Sequence, residues 1–99
     1  MERTAVVLQD NGFGETLLFS DDAIAGKMDI SVADNLLTVY HTEVGDAYGG
    51  KGYGKILLQA MVDYARTNKL KVRPLCPFVH AQFKRHESDY QDIWLREDA

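Results

Sequence analysis

The sequence predicts an α/β fold on a mixed (α+β) sheet. An N-terminal antiparallel meander leads into a βαβ crossover with splayed parallel strands, and C-terminal helices close the chain. Three observations carry that prediction. The first half reads as four short segments of β-forming residues separated by turn residues, the pattern of hairpin-linked strands. A helical repeat over residues 52–68 then stands between two strand-like segments, Leu36–Val44 and Lys71–Leu75, which calls for a right-handed crossover and parallel neighbours. Between the first of those strands and the helix, four glycines fall in the six positions Gly49 to Gly54.

Thr4–Leu8 and Thr16–Ser20 flank Asp10-Asn11-Gly12, a hairpin signal. Asp21-Asp22 turns the chain into a third strand, Ile24–Val32, and Ala33-Asp34-Asn35 turns it into the fourth. Simple alternation in the fourth strand puts Leu37, Val39, His41 and Glu43 on one face, and Thr38, Tyr40, Thr42 and Val44 on the other. The helix carries Tyr53, Leu57, Ala60, Met61 and Tyr64 on one stripe, widened by Ile56 and Leu58, as for a helix packed on a sheet. Asn68-Lys69 ends it.

Pro74 limits pairing, so the fifth strand is expected to pull away from the fourth at this end. The resulting gap, beside a phosphate-binding helix, is where a long ligand can lie. Pro77 opens a helix bearing Phe78, Val79 and Phe83 and ending near His86. Ser88 and Gln91 have the spacing of a capping box for a last short helix with Tyr90, Ile93 and Trp94. The acidic Glu97-Asp98 end is expected to fray.

At 99 residues the chain is expected to form a single domain, residues 1–99, with one core. A net charge of −4 argues against nucleic-acid binding, which favours a basic face. No apolar run reaches about 18 residues and no signal peptide is recognisable, so neither membrane insertion nor export is expected. The single cysteine, Cys76, cannot form an internal disulfide, which suits a reducing cytoplasm. His80 and His86 lack carboxylate or cysteine partners at ligand spacing, so no metal site is expected.

Strand, glycine turn and helix in that order make a phosphate cradle. Glycines turn backbone N–H groups toward a ligand, and the helix N-terminus adds partial positive charge. Lys51 and Lys55 add full charges at the same mouth. The run is not a nucleotide P-loop, since no G-K followed by Ser or Thr ends it. It is not a dinucleotide fingerprint either, since no acidic residue follows on a second strand about 20 residues on.

The loop resembles the pyrophosphate loop of the GNAT acyltransferases, in which Gln or Arg is followed after two residues by Gly, any residue, then Gly or Ala. Gly52 and Gly54 match the last two positions; Gly49 replaces the usual Arg or Gln, which removes one side-chain contact and leaves the backbone cradle. H-T-E-V ahead of the loop, P-L-C-P-F-V after the fifth strand, and F-K-R-H with Tyr90 four residues on together resemble a family of small single-domain GNAT-like N-acetyltransferases. The likeness covers roughly residues 15 to 94. It implies a minimal GNAT-like fold with acetyl-CoA as co-substrate in the splay and the pantetheine arm along Glu43 and Val44. The pyrophosphate would lie on Gly49, Gly50, Lys51, Gly52, Tyr53, Gly54 and Lys55, with Phe78 and Phe83 also at the cofactor. The chain has no room for the helical pair that covers the acceptor in larger relatives. Its acceptor side is therefore expected to be open, and the acetylated amine could belong to a protein or peptide.

Acetyl transfer needs a neutral nucleophile, a proton acceptor and donors for the developing oxyanion. Two routes stay open. In one, acetyl passes to the thiolate of Cys76, activated by His41 and favoured by the following helix N-terminus, and then to the acceptor. In the other, the amine attacks directly with Glu43 or His41 as base. The Tyr that many GNAT relatives place on the next helix corresponds to Phe83, which has no proton to give, and Cys76 could donate instead. Each residue also has an ordinary structural reading: Cys76 as a small buried hydrophobe, His41 as a hydrogen-bonded strand histidine. The alternative function is an acyl-CoA-binding sensor or regulatory module of the same fold without catalysis.

Overall fold

The computed structural model describes residues 1–96; the expected fraying of Glu97-Asp98 lies outside them. Turn chemistry sets the meander. Strand β1 (Glu2–Leu8) turns at Asp10-Asn11-Gly12 into β2 (Phe13–Ser20), with Gly12 in the left-handed region at φ 87° and the N–H of Gln9 bonded to the carbonyl of Phe13. Asp21 supplies a left-handed residue before β3 (Ala23–Ala33), and the Asp34-Asn35 pair supplies two before β4 (Leu36–Val44). Two consecutive left-handed residues are what a tight hairpin requires, and Asp and Asn tolerate them best.

After β4 come a 3-10 turn at Asp46–Tyr48, the glycine loop and helix α1 (Tyr53–Thr67). Strand β5 (Lys71–Pro74) and helices α2 (Pro77–Arg85) and α3 (Glu87–Tyr90) follow. The sheet order is β1-β2-β3-β4-β5, antiparallel throughout except for the parallel β4–β5 pair made by the α1 crossover. This is an α/β fold with a mixed sheet, as expected.

One face of the sheet carries the core. Leu18, Met28, Ile30, Leu37 and Val39 meet Leu57, Leu58, Met61, Val62 and Ala65 of α1, and Val79 and Phe83 of α2 continue the same cluster. Each of these side chains larger than alanine, removed from water, stabilises the fold by roughly 1.5–3 kcal/mol before entropy is counted. The buried stripe of α1 is rotated from the expected one. Ala60 and Tyr64 are only half-buried, while Val62 and Ala65 are enclosed, because α2 covers a second flank of the helix.

The alternation expected for β4 fails at one residue. Opposite Asp29 and Ile30 of β3 stand His41 and Val39, so Tyr40 is an extra residue, a β-bulge. A bulge shifts the side-chain phase by one. Thr42 and Val44, opposite Met28 and Gly26, therefore join Leu37 and Val39 on the core face. His41 and Glu43, opposite Asp29 and Lys27, lie on the other face. The single-face grouping of Leu37, Val39, His41 and Glu43 is corrected accordingly.

The C-terminal expectation also changes. Helix α3 has four residues and begins after His86 with no side-chain cap, so Ser88 lies inside it and the Ser88–Gln91 capping box does not form. Trp94 instead forms a parallel bridge beside Val72, whose N–H bonds Ile93 and whose carbonyl accepts from Leu95. Strand β5 would otherwise expose an unpaired edge, and satisfying it outweighs one more helical turn. Arg66 pins this segment to α1 through the carboxylate of Asp92 (3.0 Å) and the carbonyl of Asp89 (2.6 Å).

Candidate functional site

The site begins where β4 and β5 part. Their pairing runs from Leu36 and Lys71 to Val39 and Pro74 and then ends. Proline offers no N–H to extend the ladder, and the Tyr40 bulge turns β4 at the same level. The last link is the N–H of Cys76, which bonds the carbonyl of Val39 at 2.9 Å. Beyond it, β4 continues through Val44 with no strand on that side among the described residues.

Cys76 sits at the apex of this fork. It is 3% exposed, and it is the residue preceding α2, with Pro77 in the first turn. Its Sγ lies 3.4 Å from Thr42 Oγ1. Sequence reasoning passed over Thr42, although it stands within the H-T-E-V string; only the bulge turns it to the side of Cys76. His41 occupies the other face, 60% exposed, with Nε2 4.0 Å from Glu43. Thus His41 and Cys76 flank the fork from opposite faces, and the direct approach of one to the other is not formed.

Glu43 is also 3.6 Å from Lys27, whose ammonium lies 3.2 Å from Asp29 and 3.4 Å from Glu15. Hydrogen bonds to Asp29 and then Glu15 raise the Lys27 pKa, so this amine keeps its charge.

The fork opens toward the glycine loop. Gly50 (φ 80°) and Gly52 (φ 74°) adopt left-handed conformations, and a Cβ at either would meet nothing within 4 Å. At these two positions the loop backbone is open rather than packed against other residues. Gly52 precedes α1 with no side-chain cap; its carbonyl accepts the N–H groups of Lys55 and Ile56 at 3.1 and 3.3 Å. The N–H groups of Tyr53 and Gly54, at the first two helical positions, have no acceptor within the helix. Gly49 has an ordinary φ of −60°, and Lys51 and Lys55 are exposed at the mouth. An open groove of about 390 Å³ follows the same end of β4, lined by Gly26, Glu43, Val44 and Gly45 among others.

Three expected cofactor contacts need restating. The Tyr53 ring is buried, stacked on Tyr48 at 5.6 Å, with its hydroxyl donating to Glu2 at 2.9 Å, so only its backbone faces the loop. Phe78 covers Gly54: a Cβ there would come within 3.2 Å of the ring. Phe83 is a correction. It is 0% exposed, stacked on Tyr90 (4.6 Å) and edge-on to Trp94 (5.7 Å), and is a core residue because α3 and the chain returning beside β5 enclose it.

The comparisons with known proteins bear on the family and the fold. The family model of GCN5-related N-acetyl-transferases matches residues 15–93. No curated protein matches the chain. A GCN5-like protein from Staphylococcus aureus, solved by NMR, is 30% identical, with 92% of this chain and 87% of that one covered at a TM-score of 0.65. A ribosomal-protein-alanine N-acetyltransferase from Brucella melitensis biovar Abortus 2308 shares the fold at 16% identity, covering 100% of this chain and 95% of that one, TM-score 0.69. The ribosomal-protein-S18-alanine N-acetyltransferase of Escherichia coli does so at 18% identity, covering 81% of this chain and 53% of that one, TM-score 0.65. With the family match over most of its length, the splayed β4–β5 fork and the glycine loop ahead of α1, the chain belongs to the GCN5-related N-acetyltransferase family.

Proposed function

We propose that the protein transfers acetyl from acetyl-CoA to a primary amine, most simply one carried by a protein or peptide. The observation that carries this reading is the fork that opens at Val39 and Pro74 beside Cys76 and runs toward the left-handed glycines ahead of α1. The open space at Gly50 and Gly52, ahead of a helix N-terminus, leaves room for a pyrophosphate, which supports this reading. Backbone N–H groups from Gly49 to Gly54 would hold it, with Lys51 and Lys55 screening its charge. The unpaired side of β4 at Glu43 and Val44 would pair with the pantetheine amide as a strand does, and Phe78 would bound the arm near Gly54.

Acetyl-CoA supplies the activated thioester. On the open face, His41 and Glu43 take a proton from the incoming ammonium through water, leaving a neutral amine. Its nitrogen bonds the carbonyl carbon, the carbon–sulfur bond breaks, and the amine's second proton leaves by the same path. Cys76 passes its thiol proton to the departing sulfur and regains one from solvent through the Thr42 hydroxyl. The placement of His41 and Cys76 on opposite faces supports direct transfer over a thiol relay that His41 would activate. A free thiol as the sole cysteine suits a reducing compartment.

The burial of Cys76 also favours a second reading, a module that holds acyl-CoA without transfer. One experiment separates them. Protein with acetyl-CoA and amine-bearing peptides should release CoA thiol, and CoA alone should raise Tm. Cys76→Ala should lower turnover about 100-fold while keeping the CoA-induced rise. Stabilisation without turnover on any amine would leave the binding module. A persistent acetyl adduct on the wild type, abolished by Cys76→Ala, would reinstate the relay. No stabilisation by CoA would overturn the reading altogether.

A further inference from the structure

Among the described residues the helices gather on the core face of the sheet, and no helix is seen to cover the opposite face. On that face the register aligns Val7, Glu15, Asp29 and His41 in one row across β1 to β4. Lys27 and Glu43 stand in the next row. Lys27 is the ammonium between Glu15, Asp29 and Glu43, so three carboxylates share one cation and two negative charges remain uncompensated. On the other side of the row, Phe13 and Tyr40 stack at 6.0 Å while 52% and 41% exposed. A 2.8 Å hydrogen bond between Tyr40 and Ser31 holds that pair in place. The aromatics wall an open groove of about 400 Å³ bordered by Val7, Glu15 and Asp29.

We propose that this bare face is the docking surface for a basic peptide segment, the part of an acceptor that brings its amine to His41. The carboxylate surplus is complementary to lysine and arginine heads, and rigid aromatic rings accept both cations and aliphatic stems. The row from Val7 to His41 crosses three strand spacings, roughly 14 Å, which is the reach of about four extended residues rather than of one small amine. Arg3, held over Phe19 at 4.2 Å, stands at the β1 margin of the face and keeps a basic chain toward the middle. The same surplus repels phosphate backbones and anionic lipid. The reaction this docking serves rests on the transferase reading; the docking itself does not.

The test uses the full chain and a fluorescein-labelled eight-residue peptide rich in Lys and Arg, an acidic counterpart, and spermine as competitor. Anisotropy should show binding of the basic peptide, weakened by salt, and none of the acidic one. Glu15→Gln with Asp29→Asn should weaken it about tenfold, and Phe13→Ala about threefold, with Tm and the CoA-induced shift unchanged in both. Equal binding of the acidic peptide, or a carboxylate double variant that binds like wild type, overturns the proposal. Displacement by spermine at equal concentration overturns the assignment to a peptide. Peptide binding in a protein that CoA does not stabilise supports the docking face and removes the transferase reading alone.

Discussion

Thr42 Oγ1 stands 3.4 Å from Cys76 Sγ, joining the end of β4 to the start of α2 across the gap where the sheet divides. The contact exists because one extra residue, Tyr40, rotates Thr42 onto the core side. It gives the thiol at the fork a single hydroxyl partner, and that partner can be removed without changing side-chain shape.

Thr42→Val should therefore leave the fold intact and slow turnover. Loss of one hydrogen bond of about 1 kcal/mol at a proton-transferring thiol predicts a fall in kcat of roughly five- to tenfold. The KM for acetyl-CoA should change little. Steady-state CoA release on Thr42→Val, Cys76→Ser and wild type measures this; an unchanged kcat in Thr42→Val would remove the hydroxyl from the proton path.

The two ends of the glycine loop should respond differently. Gly52→Ala forces a side chain into a left-handed conformation and should cost about 1 kcal/mol of stability as well as weakening CoA binding. Gly49→Ala, at φ −60° with the nearest atom at 3.5 Å, should be nearly neutral for stability. Urea unfolding and the CoA-induced rise in Tm report the two effects separately.

Phe83 and Phe78 divide structural from ligand-facing roles. Phe83→Ala, at a fully enclosed position between Tyr90 and Trp94, should destabilise by about 3–5 kcal/mol. Phe78→Ala should cost less stability, uncover Gly54, and lower CoA affinity. Equal stability losses with unchanged CoA affinity in Phe78→Ala would contradict its place beside the arm.

The Arg66–Asp92 pair predicts an acid limb. Its hydrogen bond to Arg66 lowers the Asp92 pKa below 3.8, so its contribution is fully present above that value. The contribution is lost as pH falls further, through the depressed folded-state value. In Asp92→Asn the Tm deficit relative to wild type should be constant from neutral pH down to about 4 and shrink below it. Both side chains are well exposed, which keeps the effect small. Melting curves from pH 7 to pH 2 test the shape; a deficit that grows on acidification would reverse the sign.

Much of the fold was legible in local pattern. The limits of β4 and the first residue of α2 were readable because alternation, turn residues and Pro77 are short-range signals. The end of parallel pairing was readable from Pro74, which lacks a donor whatever surrounds it. The last helix was misjudged because the need to cover the β5 edge is not written in residues 86–94 themselves.

By itself the sequence determined the order of the strands and of α1 and α2, the left-handed glycines ahead of α1 and the place of Cys76 just before α2, since each depends on residues close together in the chain. Tertiary structure alone decided the rest. Whether His41 or Thr42 meets Cys76 turns on one bulge residue, which is defined only by pairing against β3. Phe83 became core because α3 and the returning chain enclose it. Register and enclosure are relations between distant segments, and side-chain periodicity within one strand or helix carries no record of them.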